Sequence, residues 1–118
     1  MSVLPEIEVV RPRPGAAVVE CRGEHDLVTS EALGELLACL VTDNELVVID
    51  VTEAEFIDSS FLLNLLATDR LARSQGSQVR LQLGTAPIVR RALEVGGILE
   101  LVEHFPTRDK ALAQHEEL

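Results

Sequence analysis

The run Leu46-Val47-Val48-Ile49-Asp50-Val51 limits the possible fold more than any other stretch of the chain. It is short, rich in β-branched residues and almost uninterrupted by polar ones, as a strand covered on both faces must be. Such a strand belongs inside a sheet with helices packed on it. The next residues fit that demand: an acidic link, Thr52 to Glu55, then Phe56-Ile57-Asp58-Ser59-Ser60-Phe61-Leu62, then an apolar stretch running to Ala72. A helix is expected from Ser60 to about Ser74, stopped by Gly76.

The rest of the chain supplies partners for that unit. Ile7 to Val10 is expected as a first strand, broken by Arg11-Pro12-Arg13-Pro14-Gly15, because proline cannot donate to a ladder and glycine permits a turn. Ala16 to Arg22 is the second strand of the resulting hairpin. A helix capped by Thr29 or Ser30 then carries Leu33, Leu36, Leu37, Leu40 and Val41 at helical spacing and ends at Asp43-Asn44. Val79, Leu81 and Leu83 alternate with Arg80 and Gln82, a strand with one polar face. Thr85-Ala86-Pro87 starts a helix with proline in its first turn, where no N–H bond is lost. Its apolar face is Ile88, Val89, Ala92 and Leu93, and Gly96-Gly97 stops it. Ile98 to Val102 reads as a last strand, and Thr107 as the cap of a final helix from Arg108 to about His115. Strands that alternate with helices from Leu46 onward imply parallel crossovers. The expectation is an α/β fold: a mixed sheet of about five strands with about four helices packed mainly on it.

Asp58-Ser59-Ser60 places three small polar residues where a helix start needs one. A capping Asp or Ser accepts a bond from an unpaired backbone N–H, and the plain reading is that one of them does only this. The other reading is that a serine hydroxyl at a helix N-terminus can carry a phosphate. Free N–H groups and the positive end of the helix dipole both favour an anion there. A phosphoserine brings about −1.5 to −2 charges, which its own fold tolerates while a docked partner is repelled. The helix that follows is apolar around most of its circumference, with Asp69, Arg70 and Arg73 as its charged stripe. One buried face needs fewer apolar residues than that, so Phe61 and Leu63 are candidate contact residues beside Ser59; the alternative is that all of them pack inside.

Composition narrows the function. The 118 residues suffice for one core, and 47% hydrophobic content argues against disorder. With three Phe and no Trp or Tyr, that core must be aliphatic. Twenty acids against ten bases give a net charge of −10, which repels nucleic-acid backbones and anionic lipid and suits a partner with a basic face. No apolar run reaches the length of a membrane span and the first residues have no signal-peptide core, so the cytoplasm is expected. Cys21 and Cys39 are expected to be packed and reduced. His25, His104 and His115 lack metal-ligand spacing. There is no Gly-x-Gly-x-x-Gly, no phosphate loop and no Gly-x-Ser-x-Gly turn at Ser59. No catalytic residue, cofactor or metal is therefore expected, and the chain reads as a non-enzyme. Asp50 ends a central strand as the acceptor of a phospho-receiver domain does. That rival lacks its acidic pair, since Arg11-Pro12-Arg13 follows the first strand, and its lysine, since Glu103-His104 follows the last.

Ile57-Asp58-Ser59-Ser60-x-Leu62, after an apolar strand ending in Asp50, resembles the STAS domains of anti-sigma factor antagonists. Gly23-Glu24-His25-Asp26-Leu27 is similar to that family's approach to its first helix. The resemblance continues through Val79 to Leu83, Pro87 to Gly97 and Phe105 to Leu112, covering about Ile7 to Ala113 of one domain that takes in residues 1–118. It implies a regulator that binds an ATP-binding, kinase-like anti-sigma factor and so frees a sigma factor. The kinase phosphorylates a serine of the motif and a phosphatase restores it. By position, Ser59 is the phosphoacceptor, Ser60 the secondary candidate, and Asp58, Ser59, Ser60, Phe61 and Leu63 the partner-binding residues. Two positions depart from the family pattern: Phe61 stands where Gly is usual, and His25 where an aliphatic residue is usual. The second hypothesis is an unphosphorylated STAS-like adaptor in a transport or signalling assembly.

Overall fold

The computed structural model describes residues 2–4 and 6–113. Its elements are β1 (Ser2–Leu4), β2 (Ile7–Arg13), β3 (Ala16–Cys21), β4 (Gly23–His25), α1 (Leu27–Asp43), β5 (Leu46–Asp50), β6 (Ala54–Ile57), α2 (Ser59–Gln75), β7 (Gln78–Gln82), α3 (Pro87–Val95), α4 (Ile98–Leu101), β8 (Glu103–Phe105) and α5 (Arg108–Leu112). Six strands form the main sheet in the order β1-β2-β3-β5-β7-β8, while β4 and β6 pair separately. β1, β2 and β3 run antiparallel, and β3, β5, β7 and β8 are parallel neighbours, which makes the sheet mixed as expected.

Every residue of β5 is buried, so the central strand has the two-sided cover that its composition demands. On one face Val47 and Ile49 join Ala17, Val19, Val79 and Leu81 against α1, α2, α3 and α4. On the other, Leu46 and Val48 join Ala16 and Val18 against Ala111 of α5, with Val10, Phe105 and Leu112 packed alongside. The first core is much the larger, and the second is closed by a helix of five residues.

Several local expectations change. β2 continues through Arg11-Pro12-Arg13 with an irregular register between Val10 and Arg13, because an outer segment with a bulge accommodates proline that a regular ladder would not. The turn comes at Gly15, whose φ of +80° favours glycine. α1 starts earlier than Thr29 and is capped by Asp26, which accepts from the Val28 N–H at 3.0 Å. Ile98 to Val102 is mostly a short helix, with the strand following at Glu103. Residues Ala54 to Ile57, read in part as loop, form β6. β7 has no solvent-facing polar side: Arg80 and Gln82 lie buried beneath α5. Ile88 is exposed, leaving Val89 and Leu93 as the buried face of α3. Cys21 is packed as expected, and burial pushes its thiol up to about 12. Cys39 is exposed. The end of the final helix expected near His115 lies outside the described residues.

Candidate functional site

Asp58, Ser59 and Ser60 occupy the turn that carries the chain from β6 into α2. Asp58 is the N-cap, with extended backbone (φ −111°, ψ −174°), and its Oδ1 accepts from the Ser60 N–H at 3.0 Å and the Phe61 N–H at 3.2 Å. The same oxygen accepts from the Ser60 hydroxyl at 2.5 Å. That hydroxyl, and then the Phe61, Ser60 and Leu27 amides, hold the Asp58 carboxyl below the usual carboxylate range against a desolvation cost. Leu27 is the first residue of α1, so the start of that helix lies close to the carboxylate that caps α2. Ser59 is exposed, whereas Ser60 is half-buried and tied to Asp58. The two serines are thereby set apart by geometry, which spacing alone left open.

The neighbouring candidates divide in the same way. Leu63, one turn along α2 from Ser59, is 64% exposed. Phe61 is only 2% exposed, so its expected place on an outer contact surface is corrected: a benzyl group at this position turns into the large core. Two further exposed apolar residues escaped sequence reading, Leu27 at 76% and Val28 at 89%. They open α1, directly beside the Asp58 carboxylate, and Phe56 on β6 is also exposed. The only available signal was two apolar residues after Asp26 that fall off the Leu33-Leu37-Leu40 stripe.

His25, Asp50 and Arg80 carry polar groups into the interior. His25 is 1% exposed and its ring lies 5.3 Å from that of Phe61, tilted by 47°. Its Nε2 lies 2.9 Å from the Arg22 carbonyl oxygen, while the buried Nδ1 has no hydrogen-bond partner among the described residues. Asp50 is paired with Arg108, whose Nη2 donates to Asp50 Oδ2 at 2.8 Å and to Glu20 Oε2 at 2.6 Å. Asp50 also accepts from the Thr52 hydroxyl at 2.7 Å, so it is a structural acceptor locked in a network. No group of three or more His, Cys, Asp or Glu among the described residues is placed to hold a metal ion.

A family model described as the STAS domain matches residues 8–111 of the chain. The chain belongs to the STAS domain family. An anti-sigma factor antagonist from Mycobacterium paratuberculosis shares 32% identity over 92% of this chain and 94% of its own, with a TM-score of 0.73. The unphosphorylated anti-sigma factor antagonist SpoIIAA superposes with a TM-score of 0.78 at 17% identity, covering 90% of this chain and 92% of that one. The STAS domain of a SulP transporter from Vibrio cholerae has the same fold at 19% identity, with a TM-score of 0.59 over 87% of this chain and 81% of its own. The search of curated proteins returns no match.

Within this STAS domain the two departures from the family pattern prove to be one contact. Phe61 fills space in the first turn of α2, and His25 packs against it from β4. A side chain larger than Gly at the first position is thus accommodated inward, and the surface beside Ser59 is left to Leu63, Leu27 and Val28.

Proposed function

We propose that this STAS domain is a cytoplasmic anti-sigma factor antagonist without enzymatic activity of its own. Its unmodified form binds a kinase-like anti-sigma factor through Asp58, Ser59, Ser60 and the exposed apolar residues around them. That partner phosphorylates Ser59, the complex dissociates, and a phosphatase restores the binding form. The observation that carries this reading is the exposure of Ser59 at the N-terminus of a long helix, beside a carboxylate and with Leu63, Leu27 and Val28 open nearby. The positive end of the helix dipole favours an anion at that position. A phosphate adds charge next to Asp58 and places a strongly hydrated group on an apolar docking face, which weakens binding. The relative at 32% identity, an anti-sigma factor antagonist, supports the partner class.

Phosphosite mass spectrometry on the protein from its own cells, with co-purified proteins identified in the same sample, tests this. Phosphate on Ser59 and a kinase-like anti-sigma partner are expected. Ser59→Ala should abolish phosphorylation, and Ser59→Asp should weaken anti-sigma binding; equal binding of Ser59→Asp and wild type to every partner would sink the switch. The shared fold of the transporter STAS domain supports a second reading, an adaptor whose Asp58-Ser59-Ser60 is only a helix cap. Ser59 unmodified across growth and stress conditions, in a transport complex, would establish that reading instead.

A further inference from the structure

We propose that His25 is a proton-sensitive latch that holds the start of α2 against β4, so that acidification loosens the Asp58–Phe61 turn. The Nε2–H donates to the Arg22 carbonyl, which leaves Nδ1 as the bare nitrogen of a neutral imidazole. A proton on Nδ1 would be buried with no acceptor among the described residues, a costly arrangement that opening of the site removes. The latch reaches the site by two routes: the ring packs on Phe61, and the His25 carbonyl accepts from the Asp58 N–H at 3.2 Å.

Among the described residues the charged groups that act on His25 are Glu6, from the segment before β2, and Asp26, from the start of α1, while Arg22, in the β3–β4 link, meets it through its backbone carbonyl. Asp58 meets it from α2 through its backbone N–H. Glu6, Asp26 and the bond to Arg22 favour the protonated ring, but burial outweighs them and lowers the His25 pKa from 6.5. The open form therefore binds the proton more readily than the closed one. Closure is strongest above pH 6.5 and weakens as pH falls below it, towards the lowered value. Ordinary carboxylates titrate near pH 4 and stay ionised across the window from 6.5 to about 5, so removing the His25 imidazole isolates its share of any change there.

Amide hydrogen exchange of the full chain tests the proposal, with protection factors corrected for intrinsic exchange. Between pH 6.5 and 5, protection of the Asp58, Phe61 and Leu62 amides should fall, with a slope approaching about tenfold per pH unit for a one-proton opening. In His25→Leu the slope should vanish. Independently of that variant's folding, the wild-type imidazole signals should show His25 titrating below the ordinary histidine value of 6.5. A pH-independent protection in wild type, the same fall in a folded His25→Leu, or His25 titrating at or above 6.5 would overturn the latch. None of these readouts depends on Ser59 being modified or on any partner, so failure here leaves the proposed function standing.

Discussion

Asp58 does more for the site than either serine. Its carboxylate satisfies N–H groups that the first turn of α2 cannot pair internally, and it fixes the Ser60 hydroxyl. Asp58→Ala should cost about 1 kcal/mol, within the range of 0.5–2 found for lost helix caps. Because the native site lowers the Asp58 pKa, that stabilisation is complete above the unfolded value of 3.8 and is lost as pH falls through the lowered one. Denaturant titrations should show wild type and Asp58→Ala differing at pH 7 and converging in strong acid; a constant gap would mean that the carboxylate is not the stabilising group. Phe61 and Leu63 give the opposite contrast. Phe61→Ala empties core volume and should cost about 3–5 kcal/mol, whereas Leu63→Ala should change stability by less than about 0.5 kcal/mol. Partner affinity should respond the other way, dropping for Leu63→Ala. If Leu63→Ala binds as wild type does, this face of α2 is not the docking surface.

At the scale of elements, α5 shows how five residues are held. Arg80 rises from β7 beneath it and donates to the carbonyls of Ala111 at 2.8 Å and Ala113 at 2.6 Å, the unpaired end of that helix. Arg108, at its start, spans the aligned strand ends Glu20, Asp50 and Gln82. Without Arg108 the adjacent carboxylates of Glu20 and Asp50 would face each other with little water between them. Arg108→Ala is expected to destabilise by about 1–3 kcal/mol, less than a fully buried pair because the guanidinium is partly exposed. Adding Asp50→Asn, which keeps an acceptor for Thr52 but removes one charge, should recover part of the loss. A double-mutant cycle measures this; strict additivity would show that repulsion between the two acids is not the source. Sequence alternation identified β7 as a strand. It could not reveal that the polar side is buried, because a chain listing of Val79-Arg80-Leu81-Gln82 carries no trace of the helix that arrives thirty residues later.

Over the whole molecule, the net charge of −10 shapes encounters rather than folding. Association with the proposed anti-sigma partner, given a basic docking face on it, should be fast at low salt and slow as ionic strength rises, since exposed charges are screened beyond about 10 Å at 0.1 M. Stopped-flow association rates across a salt series would check this, and a salt-independent rate would rule out steering by the acidic surface.

The division between what was legible in the residues and what was not follows from the range of the forces. Local chemistry fixes the helix starts at Asp58 and Thr107, the stop at Gly76, the buried β5 and the α/β alternation. Capping, left-handed glycine and side-chain periodicity act within a few residues, and they are written in order along the chain. Contacts between distant segments are not. Only tertiary packing put Phe61 against His25, paired β4 with β6, laid α5 over Arg80, and left Leu27, Val28 and Leu63 beside an exposed Ser59. Apolar side chains bury wherever a neighbouring element closes over them, and the hydrophobic effect has no direction that a sequence can announce. The motif thus marked the proposed site, and the fold decided which of its residues are exposed.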